Sequence, residues 1–185
     1  MAHRVCPWWL GYLLASPLRR LWQDPRAILE PYITDGMRVL EPGCGMGFFT
    51  IDLARLVGPR GKVIAVDLQP RMLAGLKRRA RKAGVDARIE VRPAEKDSLN
   101  VADLAGTIDF ALAFAVVHEL PNEGRFFSEL SGALRKGGRL LLAEPKGHVT
   151  DIAFAASLKT AEIKGLRATD RPAIRWSRAA LLERV

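Results

Sequence analysis

The residues best placed by type and spacing to do chemistry form one short run, Glu41-Pro42-Gly43-Cys44-Gly45-Met46-Gly47. Glycine at alternate positions lets the chain turn with positive φ and brings bare main chain against a ligand, with the amides of a following helix beyond it. On this reading a side chain at Gly43, Gly45 or Gly47 would fill the ligand's space. Dinucleotide-binding turns read GxGxxG and place their third glycine one position later, where this chain has Phe48. Glu41, just before the turn, suits a cationic ligand by charge attraction. Asp67 stands 20 residues after Gly47, where a carboxylate can accept both hydroxyls of a ribose. Further on, His118, Glu144 and His148 are candidates for proton transfer, each with a bland alternative in capping, hydrogen bonding or packing. Cys44 is small enough for ligand fit to explain it without nucleophilic chemistry.

These residues need elements to hold them. Met37 to Glu41 reads as a buried strand, and Phe48 to Val57 carries apolar residues at helical spacing, so strand, turn and helix open a βαβ unit. Lys62 to Asp67 is expected as a second strand, Pro70 to Ala83 as a basic amphipathic helix, Ala87 to Arg92 as a third strand and Thr107 to Phe114 as a fourth. Pro121 to Arg135 follows as a helix, Arg139 to Glu144 as a strand after the Gly137-Gly138 turn, and Thr150 to Lys164 as a helix. Two last strands fall near Leu166 to Thr169 and Ile174 to Leu182. The alternation implies an α/β fold: a single-domain, doubly wound, mostly parallel seven-stranded sheet with helices on both faces. Ligands bind such sheets beyond the carboxyl ends of the strands, where the glycine turn lies.

Composition sets the setting. A chain of 185 residues, 49% apolar and 26% charged, is an ordinary folded domain rather than a disordered or membrane protein. Cys6 and Cys44 are too far apart in sequence for a CxxC pair, and no metal-ligand spacing appears, so a reduced cytoplasmic location with no metal is expected. The net charge of +9 favours phosphate-bearing partners. Much of it sits at Arg71, Lys77, Arg78, Arg79, Arg81 and Lys82, a pattern that usually marks a solvated helix face. His3 and Arg4 before an apolar run imitate a secretory signal, but Pro7, Gly11 and Pro17 spoil it. The run is also shorter than the roughly 20 residues a membrane span needs. Residues 1–36 therefore read as an N-terminal helical cap, with Trp8, Trp9 and Tyr12 as a lid or as simple packing, and with peripheral membrane contact as the alternative. Residues 37–185 form the main domain.

From Met37 to Val185 the chain resembles class I, Rossmann-like S-adenosylmethionine-dependent methyltransferases. Val39 to Gly47 matches the family's first motif, Val66-Asp67 its ribose-binding acid, and Asp109 to Val117 its fourth-strand motif. Ala94-Glu95 stands where the family often has Gly-Asp. Leu134 to Leu140 matches the Leu-x-Pro-Gly-Gly turn, with Lys136 replacing the proline. The resemblance implies S-adenosylmethionine as cofactor, held by Glu41, Gly43, Cys44, Gly45, Gly47, Asp67, Leu68, Glu95 and Phe114. It also implies methyl transfer to an acceptor near the loop after the fourth strand, where His118 is the first candidate base and Glu144 the second. A small-molecule or lipid-like acceptor is expected. RNA is the alternative that the charge suggests, although no nucleic-acid module is added and no Asn/Asp-Pro-Pro-aromatic signature follows Phe110. A non-catalytic S-adenosylmethionine-binding module is a further alternative. A nicotinamide dehydrogenase is opposed by the glycine spacing and by the lack of a Tyr-x-x-x-Lys pair, both tyrosines (Tyr12 and Tyr32) preceding the sheet.

Overall fold

Continuous apolar runs become strands here because both faces of the sheet are covered. In the computed structural model, which describes residues 19–20 and 22–185, seven strands form one sheet. They are β1 (Arg38–Pro42), β2 (Lys62–Asp67), β3 (Ile89–Pro93), β4 (Ile108–Phe114), β5 (Leu134–Pro145), β6 (Leu166–Asp170) and β7 (Ser177–Arg184). Their order is β3-β2-β1-β4-β5-β7-β6, parallel from β3 through β5, with β7 antiparallel to both β5 and β6. The helices are α1 (Pro25–Leu29), α2 (Thr50–Leu56), α3 (Pro70–Lys82), α4 (Glu123–Ala133) and α5 (Asp151–Ile163).

Alternate strand residues feed two cores, as the two-residue period requires. Val39, Val63, Ala65, Phe110, Leu112 and Leu141 pack on one face with Ile51 and Leu53 of α2 and Leu73 and Leu76 of α3. Leu40, Ile64, Val66, Ala111, Leu140 and Leu142 pack on the other with Phe126, Phe127 and Leu130 of α4 and Phe154 and Leu158 of α5. The doubly wound, mostly parallel arrangement expected from the sequence is the one found.

Several boundaries differ, each for a local reason. Asp24 caps α1, its side chain accepting from Arg26 N at 3.0 Å with Pro25 in the first turn, and the helix stops at Leu29, short of the end of the expected cap. Pro31 has no N–H to extend it. Residues 86–88 wind as a 3-10 turn, so β3 begins at Ile89 rather than Ala87. Gly137-Gly138 lies within β5, not before it: Ile108 pairs with Leu134 and Phe110 with Arg139, so the extra residues are taken up as a bulge with Gly137 at φ 69°. The expected cap over residues 1–36 falls mostly outside the described residues, and Trp8, Trp9, Tyr12 and Cys6 lie entirely outside them. No helix among the described residues is long and apolar enough to cross a membrane.

Candidate active site

The strand order reverses between β1 and β4, so their connections leave in opposite directions and a crevice opens beyond their carboxyl ends. The glycine turn fills one side of it. Gly43 N and Cys44 N donate to Val66 O at 2.8 and 3.2 Å, and Gly47 N to Cys44 O at 2.9 Å. All three glycines have positive φ, at 71°, 54° and 81° along the chain, a backbone region that disfavours side chains. Asp67 locks the turn to β2: Gly45 N donates to its Oδ2 and Gln69 N to its Oδ1, both at 2.8 Å. Each oxygen thus spends one acceptor site on an amide and retains capacity for a hydroxyl. Burial raises the Asp67 pKa, while the amides of Gln69 and Gly45 draw it back down.

The three glycines are not equivalent, contrary to the expectation that each keeps ligand space clear. A Cβ at Gly43 would come within 2.7 Å of Val116 Cγ2 in the loop after β4, and one at Gly47 within 2.4 Å of Leu76 Cδ1 on α3. Both positions are bare because protein packs on them. At Gly45 a Cβ would meet no atom of the described residues within 4 Å, so of the three this is the glycine that faces open space.

Glu41 is 4% exposed at the end of β1, and its Oε2 has no hydrogen-bond partner among the described residues. Burial pushes its pKa up to about 8; the Thr50 hydroxyl, close by but without full hydrogen-bond geometry, works against the rise, and the Asp67 charge adds to it. A buried acid with a spare oxygen beside a glycine cradle can meet a donor or a cation there by giving up its proton. The Cys44 thiol is buried and its pKa is held well above the ordinary value, first by burial and then by Glu41 and Asp67, so it stays a neutral thiol.

Other residues named from the sequence gather on the same edge. Leu68, next to Asp67, is 40% exposed despite its apolar side chain. The Ala94-Glu95 turn lies alongside, with Ala94 N donating to Asp67 O at 3.0 Å, and Glu95 itself is exposed. Phe114, at the end of β4, packs on Phe49 with ring centroids 4.4 Å apart. Arg79 departs from the expected solvated face of α3: it is half-buried and donates from a guanidinium nitrogen to Met46 O at 2.5 Å, bracing the glycine turn from behind. Its spacing of three from Leu76 was the sequence signal, since that places it at the rim of the apolar stripe. Arg19, in the segment before the sheet, lies over the Phe48 ring at 4.2 Å, and its burial lowers its pKa to about 10.

The other side of the crevice is built by the loop after β4 and the end of β5. Glu144 is 1% exposed, and its Oε1 accepts from Val116 N at 3.1 Å and Val117 N at 2.9 Å. These bonds hold a loop that enters through Ala115 at φ 55°, an unfavourable conformation for alanine. Glu144 Oε2 faces Nδ1 of His118 in a short hydrogen bond. That bond raises the His118 pKa against the opposing effect of burial, with further help from the charges of Glu144 and Glu119. His148, exposed, meets the His118 ring edge-on at 5.4 Å.

A family described as "Methyltransferase domain" matches residues 33–171. The chain belongs to the methyltransferase-domain family. This methyltransferase domain is 30% identical over 155 residues to a ubiquinone biosynthesis O-methyltransferase from Methylocella silvestris, covering 83% of the chain and 58% of that protein. It is 36% identical over 122 residues to an arsenite methyltransferase from Halobacterium salinarum, covering 65% of the chain and 30% of that protein. The domain therefore spans less than two thirds of the length of these curated relatives. Among solved structures, a SAM-dependent methyltransferase from Aquifex aeolicus superposes with a TM-score of 0.87 at 24% identity, covering 98% of the chain and all (100%) of that protein, a likeness of fold. S-adenosylmethionine is the cofactor of the family. The methyltransferase domain fits it on its own geometry, through the open cradle at Gly45 and the spare buried oxygen of Glu41.

Proposed function

We propose that this chain transfers a methyl group from S-adenosylmethionine to a small-molecule acceptor. The observation that carries the reading is the Gly45–Asp67 link, which sets bare main chain open to the crevice beside a carboxylate with acceptor capacity to spare. In this reading the Asp67 oxygens take the ribose hydroxyls and Leu68 covers the adenine, with Glu95 on the base's amino edge. Gly43, Cys44, Gly45 and Gly47 shape the cradle, Glu41 faces the cationic end, and Phe114 floors the crevice below the reacting centre. The cofactor, when bound, supplies an activated methyl on a cationic sulfur. The chain's share is to align the acceptor, exclude water and move a proton where the acceptor carries one; alignment alone accounts for roughly 7–11 kcal/mol in well-oriented reactions. The names of the two curated relatives support a small-molecule acceptor over RNA.

The test is calorimetric titration with S-adenosylmethionine and with NAD, followed by an acceptor panel scored by release of S-adenosylhomocysteine. Binding of the sulfonium nucleoside, no binding of NAD, and turnover with at least one small acceptor are expected. Asp67→Ala, with its fold verified by circular dichroism, is expected to weaken cofactor binding at least tenfold. Unchanged affinity would remove Asp67 from the site.

A further inference from the structure

Read from the sequence, His118 and Glu144 are separate candidates for one role; in the fold they are one device. We propose that they form a proton-accepting dyad for an oxygen acceptor, His118 taking the proton and Glu144 positioning it, so that the substrate class is a phenol or enol hydroxyl and the product a methyl ether. This rests on the methyl-transfer reading above.

Both Glu144 oxygens are committed, Oε1 to two loop amides and Oε2 to His118 Nδ1. With Nδ1 tied, Nε2 is the nitrogen left for a substrate proton, the arrangement by which a carboxylate fixes a general-base imidazole. The dyad is also near the cofactor cradle, because Val116, two residues before His118, packs on Gly43 so closely that a Cβ there would clash. The charged and titratable groups facing His118 are Glu144 on β5, Glu119 next to it in the chain, and His148 edge-on from the segment after β5. The two carboxylates both favour a protonated ring.

Chemistry narrows the acceptor. Among hydroxyls a phenol, with a pKa of about 10, lies nearest to an imidazole in acidity and yields its proton to it more readily than an aliphatic alcohol does. A thiol, at about 8.5, ionises without such help. An amine must arrive already neutral, and arsenite-like soft nucleophiles attack through a lone pair with no proton to lose. In the step, the hydroxyl proton passes to His118 Nε2 as the oxygen forms its bond to the methyl carbon. The carbon–sulfur bond breaks with its electron pair staying on sulfur, and Glu144 balances the charge left on the ring.

The experiment uses 4-nitrocatechol, whose ionised form has its own visible absorption, added to the protein with saturating S-adenosylhomocysteine below the probe's solution pKa. The wild-type protein is expected to bind it as the phenolate. His118→Asn is expected to abolish the phenolate spectrum while S-adenosylhomocysteine affinity and melting temperature stay close to wild type. Glu144→Gln, which keeps one acceptor oxygen for the loop amides, is expected to raise the pH at which the bound probe ionises by about one unit, a tenfold weaker proton acceptor. A spectrum without phenolate in the wild-type protein, or a phenolate spectrum that survives His118→Asn, overturns the dyad while leaving the methyl-transfer reading intact. Failure of S-adenosylhomocysteine to bind overturns that reading, and the dyad with it.

Discussion

In the proposed site, Glu41 is expected to turn the charge of the ligand into a measurable proton. With its native pKa raised to about 8 from an ordinary 4.5, it stays protonated when folded over a range where the unfolded chain has already lost the proton. Stability from this group is therefore present below the unfolded value and falls as pH rises toward 8, by up to about 1.4 kcal/mol per unit. Glu41→Gln is expected to lack that fall, so its melting temperature should gain on the wild type between about pH 5 and pH 8. A cation in the crevice favours the carboxylate, so calorimetry in buffers of different ionisation enthalpy should show proton release when S-adenosylmethionine binds at neutral pH. Less release is expected with S-adenosylhomocysteine, which lacks the sulfonium charge, and none from this site in Glu41→Gln. The glycines separate in the same way. Gly47→Ala puts a methyl 2.4 Å from Leu76 and should cost about 1–3 kcal/mol of stability, seen as a lower melting temperature. Gly45→Val should still fold, paying only for its φ, yet lose cofactor affinity in the titration because its side chain enters the crevice.

Elements explain which of these residues the sequence could reveal. The glycine turn and Asp67 were legible because one βαβ unit contains them, and its strand and helix carry clean apolar periods. The dyad was not, because His118 and Glu144 are 26 positions apart and meet only through the β4–β5 register, in which Phe114 pairs with Ala143. Strand positions were readable from apolar runs, but ends depended on single residues such as Pro31 and Gly137 whose effect appears only with partners in place. Arg79 belongs here as well, an arginine in a basic run that turns inward to the glycine turn. Arg79→Ala should lower the melting temperature and weaken cofactor binding several-fold, since a hydrogen bond from a charged donor contributes about 1.5–3 kcal/mol before solvent screening of this half-exposed group reduces it. Lys82→Ala, at an exposed position on the same helix, should change stability by no more than about 0.5 kcal/mol. Equal losses in both variants would mean that Arg79 does no more than contribute charge.

Across the whole molecule, the fold class followed from strand and helix alternation because each element is long enough to show its period, and both cores are filled by those same periods. The order of assembly is another matter. Seven residues of β7, Ser177 to Glu183, pair with Pro145 to Arg139 of β5, and β6 reaches the sheet only through β7. A ribosome that has delivered everything through Gly165 has therefore released the glycine turn and five parallel strands whose outermost member, β5, still shows a bare row of amides and carbonyls to water or to a neighbouring nascent chain. The catalytic edge is thereby made early and secured late. A chain stopped after Gly165 should melt without a cooperative transition and bind a fluorescent hydrophobic dye. Supplying residues 166–185 as a separate peptide should restore the transition if strand insertion is all that was missing.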